Sequence, residues 1–152
     1  MKNARGFTLI ELIVTVTIIA ILAGLAVPIA AKSIQREREI ELRQALREMR
    51  VAIDAYKLNC DASKIQQIVG TDCYPETLDE MVQGIPLLNN AADQKLKLLR
   101  RVPIDPMTNS TDWGFRAYQD DPTSTSWGGT DIFDVYTKST GRALDGTKYK
   151  DW

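Results

Sequence analysis

The one formal charge between Phe7 and Ala31 is Glu11. An ionisable side chain in so apolar a run is costly unless it has a partner. A cut between Gly6 and Phe7 would supply one, because the new α-amine of Phe7 is cationic and Glu11 follows one helical turn later. In an isolated chain the pair could only snorkel to the membrane face. In a bundle of identical helices, Glu11 of one subunit can neutralise the Phe7 amine of its neighbour and fix their axial stagger. Cys60 and Cys73, with twelve residues between them, form the second pair able to do chemistry. They lack the Cys-x-x-Cys spacing of a redox motif or half a zinc site. Outside the cytoplasm a disulfide is the natural reading, contributing about 2–3 kcal/mol in the chain-entropy model. The alternative is two separate buried thiols.

The sequence contains no histidine, which removes the commonest general base and the commonest zinc ligand. Nor does it carry a Gly-rich phosphate loop or a nucleophile-elbow pattern. The residues therefore point away from an enzyme. Charge is balanced, at 19 basic against 20 acidic residues. Nucleic acid is not the expected partner, because phosphate binding needs a clustered positive field.

The elements that must position Phe7 and Glu11 begin with a short basic leader, Met-Lys-Asn-Ala-Arg-Gly. The run FTLIELIVTVTIIAILAGLAVPIAA follows, and as a helix its roughly 37 Å would cross a hydrocarbon core of about 30 Å. Lys2 and Arg5 precede it, which leaves the N-terminus cytoplasmic and the rest exported. A secretory signal peptide would have a shorter apolar run and a clear cleavage site, and here Gly24-Leu25-Ala26 is the best available. A plain signal anchor fits the length but leaves Glu11 unexplained. Cleavage before Phe7 explains it. Pro28 removes one helical hydrogen bond and, with Gly24 nearby, marks where the helix could bend or melt. A merely tolerated membrane-helix proline is the other reading.

Beyond Ala31 the pattern turns amphipathic. Leu42, Leu46, Met49, Ile53 and Tyr56 make one helical stripe. Between Lys32 and Glu41 only Ile34 and Ile40 are apolar, so that stretch is expected to be solvated or to face other subunits. Glu39 and Arg43 stand at the favourable i, i+4 spacing. One continuous helix is expected from about Thr8 to Leu58, with the remaining chain covering the stripe. Tyr74 to Val82 reads as a short helix, and Leu96 to Leu99 as another helical turn or a lead into a sheet. Ile85-Pro86 and Val102-Pro103 mark breaks. Gly114–Tyr118 and Asp131–Thr137 are strand-like, separated by the turn-rich DDPTSTSWGG. There Asp120 and Asp121 read as turn residues. Gly141 suggests a turn before an irregular tail ending in Trp152. The economical architecture is α+β, a small antiparallel sheet on the second half of the long helix. The chain divides into a leader (1–6), a transmembrane and polymerisation helix (7–31), an amphipathic helix (32–59) and a loop and sheet region (60–152).

The string Arg5-Gly6-Phe7-Thr8-Leu9-Ile10-Glu11-Leu12-Ile13-Val14 resembles the class III signal of type IV pilins and pseudopilins. The resemblance implies cleavage after Gly6 and N-methylation of Phe7 by a prepilin peptidase, with storage in the inner membrane before assembly. Pro28 matches that family's helix-kinking proline. Further on, Tyr74-Pro75 with Thr77, Leu99-Arg100-Arg101-Val102-Pro103-Ile104-Asp105-Pro106, and Phe133-Asp134-Val135-Tyr136 with Ser139 and Gly141 resemble the major pseudopilin of type II secretion (general secretion pathway protein G-like). That implies a homopolymeric periplasmic filament working with an inner-membrane assembly platform and minor pseudopilins. A type IV pilus subunit for adhesion or motility is the alternative. Many major pseudopilins carry Ca2+ after the last strand, and Asp145 and Asp151 fall where the resemblance places its acids. The tail RALDGTKYKDW also carries Arg142, Lys148 and Lys150 and lacks the family's denser acidic, glycine-rich stretch. The competing reading is a solvated tail pinned by Trp152.

Overall fold

The computed structural model describes residues 6–88 and 94–152, Leu25 by its backbone only. Lys2 and Arg5, on which the expected orientation rests, lie outside the described residues. The elements are α1 (Leu9–Asp61), α2 (Leu78–Gln83), β1 (Ile85–Pro86), β2 (Lys95–Leu96), β3 (Gly114–Arg116), β4 (Asp134–Tyr136) and a 3-10 turn at Tyr149–Asp151. The fold is α+β, as the sequence patterns imply. The chain separates into two compact units, Met1–Glu37 and Arg38–Trp152.

The first unit is helical from Leu9 and stays helical through Pro28. Its isoleucines, valines and threonines have only modest helix propensity in water. In hydrocarbon the helix wins, because every backbone group must find a partner within the segment. Thr15 and Thr17 satisfy their hydroxyls the same way, donating to the carbonyls of Leu12 at 2.9 Å and Ile13 at 2.7 Å.

In the second unit the expected stripe is the core. Leu42, Leu46, Met49, Ile53 and Tyr56 are buried, with Leu78 and Met81 of α2 and with Trp113, Ile132 and Val135 in the same cluster. Strands β3 and β4 pair antiparallel with Phe115 opposite Val135. Gly114 is required there, since a Cβ would stand 2.2 Å from the Tyr136 ring. Helix α2 starts on a reciprocal cap: Glu80 N–H donates to the Thr77 hydroxyl, and the Glu80 carboxylate accepts from Thr77 N–H.

Four expectations need correcting. Helix α1 runs three residues past Leu58, to Asp61. Ile85-Pro86 is not a simple break but strand β1, paired antiparallel with β2. Proline lacks a ladder donor, and a two-stranded sheet has only edges on which to place it. In the stretch expected to be solvated, Glu39 is buried. The last twelve residues are also less irregular than their composition suggests. Arg142 bridges to Lys148, Tyr149 is buried, and a 3-10 turn ends the segment.

Candidate functional site

The N-terminal motif sits on the first turn of α1. Gly6 and Phe7 precede the helix, and Phe7 is 78% exposed. Thr8 caps the helix: Glu11 N–H donates to its hydroxyl at 3.3 Å, and Leu12 N–H to its carbonyl at 3.1 Å. Thr8-Leu9-Ile10-Glu11 thus follows the spacing of a capping box, a signal that the sequence reading passed over. Glu11 lies in the first turn, where a negative charge is favoured by the helix dipole. The geometry therefore gives Glu11 a local role, helix initiation, in addition to the partner role expected of it.

The apolar side chains that follow point to every side of the helix. Leu9, Ile10, Leu12, Ile13, Val14, Val16, Ile18, Ile19, Ile21, Leu22, Val27 and Ile29 are each at least 50% exposed. The helix is long and apolar enough to cross a membrane. A surface apolar all round is not stable in water and fits lipid or a bundle of like helices.

Cys60 and Cys73 are joined in a disulfide, with their Cα atoms 5.6 Å apart. Both are buried, and the bond ties the end of α1 to the Tyr74-Pro75 turn. Asp72 and Cys73 adopt positive φ, of 47° and 65°, to make that tight return. Tyr74 then packs against Tyr118 and, edge-on, against Phe133.

The landmarks of the second unit are structural hubs. Asp105 is fully buried and accepts from Met107 N–H, the Thr108 hydroxyl and the Thr137 hydroxyl, joining the RRVPIDP segment to the end of β4. Trp113 Nε1 donates to the Pro103 carbonyl at 2.9 Å. Asp134 takes Arg50 Nε at 2.7 Å on one oxygen and Arg116 Nη1 at 3.1 Å on the other. Asp120 accepts from Ala117 N–H and Gly128 N–H, and Asp121 from Thr123, as turn residues do.

Asp145 and Asp151 are not brought together with a third acid. Asp145 Oδ1 accepts from Thr147 N–H at 2.9 Å and from its hydroxyl at 2.6 Å. Those bonds, with Arg43 nearby, hold its carboxyl below the usual aspartate range. Asp151 is exposed on the final 3-10 turn. Among the described residues no three acid, cysteine or histidine side chains stand together as a metal set. Calcium takes roughly six to eight oxygens, so a site here would need backbone carbonyls beside these two acids.

Sequence reasoning missed the long-range partners Glu39, Arg50 and Arg116. For Glu39 and Arg50 the local signal was charge density next to an apolar stripe, whereas Arg116 stands in strand β3.

No match was found among curated proteins or among solved structures. The family model of the prokaryotic N-terminal methylation motif matches residues 1–27. Those residues hold the Gly6–Phe7 junction, the capping threonine, Glu11 and most of the exposed apolar helix described above. The chain therefore carries a type IV prepilin-type N-terminus, fit for prepilin peptidase processing and inner-membrane anchoring, and this supports a type IV pilin-like family.

Proposed function

We propose that the protein is the repeating structural subunit of a periplasmic pseudopilus that drives type II secretion. The observation that carries this reading is the helix from Leu9 to Ile29, apolar on all sides and open on all sides. After cleavage at Gly6 and methylation of Phe7, subunits leave the membrane by exchanging lipid contact for contact with identical helices. The apolar area lost from lipid is regained in the bundle, so extraction is close to balanced in hydrophobic terms. Glu11 adds direction, since its charge on one helix meets the Phe7 amine of the next only at one stagger. Pro28 supplies a point where the helix yields during packing. The pseudopilus reading in particular draws support from the Tyr74-Pro75, RRVPIDP and FDVY landmarks.

Glu11→Ala tests this assignment. Membrane insertion and the folding of residues 38–152 are expected to persist, while filament yield falls at least tenfold. Normal filament yield from the variant would remove Glu11 from assembly. Filaments confined to the periplasm, together with lost export of secreted proteins in a deletion strain, are the expected phenotype. Long surface filaments with intact export would identify a pilus instead.

A further inference from the structure

We infer that arginine side chains of this chain occupy the place of a divalent cation in the segment from Gly141 to Trp152, so that its docking on α1 is independent of metal. The inference goes beyond the filament reading and holds for either kind of filament.

A hard cation would hold such a segment by collecting carboxylate and backbone oxygens. Here three backbone oxygens and the Asp145 carboxylate already face guanidinium groups. Arg142 Nη1 donates to the Gly146 carbonyl at 3.1 Å, Arg116 Nη2 to the Lys150 carbonyl at 3.0 Å, and Arg50 Nη2 to the Trp152 carbonyl at 2.8 Å. Arg43 Nη2 stands 3.7 Å from Asp145 Oδ2, and its guanidinium lies 4.1 Å above the centre of the Trp152 ring. A planar guanidinium can both pair with a carboxylate and stack on an indole, which a spherical metal ion cannot.

Other polar groups of the segment are committed as well. Glu39 Oε1 accepts from Leu144 N–H and from the Tyr149 hydroxyl, both at 2.9 Å. Trp152 Nε1 donates to the Thr147 hydroxyl at 2.8 Å, and that hydroxyl donates to Asp145. Glu39, Arg43 and Arg50 lie on α1, so the helix supplies the acid and two of the arginines that hold the segment down.

The test uses the full chain in detergent micelles, followed by thermal unfolding and by the rate of trypsin cleavage after Lys148 and Lys150. The expected result is the same Tm and the same cleavage rate in excess EGTA and in excess calcium chloride. Arg43→Gln is expected to lower Tm by about 2–6 °C and to speed tail cleavage several-fold in both buffers. Arg43→Lys, which keeps the charge but loses the planar fork, should fall between the two and serves if the glutamine variant does not fold. A fall in Tm of the unaltered chain on chelation would overturn the inference. So would tail protection in both Arg43 variants equal to that of the unaltered chain.

Discussion

The two units use the same residue types in opposite ways. In Met1–Glu37, the described leucine, isoleucine and valine side chains from Leu9 to Ile29, Leu25 apart, stand half or more exposed. In Arg38–Trp152, Leu42, Leu46, Met49 and Ile53 are at most 2% exposed. Both sets lie on α1. The spacing differs: apolar residues on every side have no preferred inner face, whereas a stripe at three and four does. One unit finds its core between its own elements. The other must find cover in lipid or in further copies, and that need is what a filament subunit requires.

Trp113→Ala should have the largest effect on the second unit. Removing this fully buried side chain costs about 3–5 kcal/mol, read by chemical denaturation, with membrane attachment unchanged. An effect below about 1 kcal/mol would mean that the core is not organised around it. The mirror-image change, Leu22→Arg, should act on the first unit alone. A charge at the centre of a spanning helix costs about 2.5–3.5 kcal/mol, so membrane retention falls while the second unit unfolds at its usual denaturant concentration. Equal retention of this variant would refute the spanning reading of the helix.

Replacing both Cys60 and Cys73 by serine should destabilise the second unit by about 2–3 kcal/mol. Reducing agent should lower the stability of the unaltered chain and leave the double variant where it is.

The smallest effect concerns pH. Burial raises the Asp131 carboxyl above the ordinary aspartate value of 3.8, only partly offset by hydrogen bonds from Tyr118 N–H and the Thr130 hydroxyl. The folded state thus holds this proton more tightly than the unfolded state does. Stability should therefore fall as pH rises from 3.8 through the raised native value, and level off above it. Asp131→Asn should flatten that part of the pH–stability curve. An unchanged slope would assign the pH dependence to other carboxyls.

Much of this was legible in the sequence because periodicity is local. The stripe from Leu42 to Tyr56 and the two strands around Phe115 and Val135 show within a window of about ten residues, whereas the short helix expected from Tyr74 starts only at Leu78, after the Thr77 cap. Strand β1 was not legible, since Pro86 reads as a break until its partner at Lys95 is known. The hydrogen bonds of Glu39 and Arg50 were hidden for a related reason. Glu39 meets Leu144 across 105 residues, and Arg50 meets Asp134 across 84. Glu39 and Arg43 are a plausible helical pair by spacing, and nothing local reveals that both also hold the C-terminal segment. At the N-terminus the motif was legible as chemistry, and the Thr-x-x-Glu spacing also held the capping role of Thr8 that its hydrogen bond to Glu11 N–H makes plain.

Processing and filament assembly are tested most directly by the intact mass of the mature chain isolated from membranes, with and without an active prepilin peptidase. With active peptidase the chain is expected to begin at Phe7 and carry one N-methyl group, and without it the chain is expected to be uncut. A chain that keeps residues 1–6 in the presence of active peptidase would contradict processing, and with it the filament assignment.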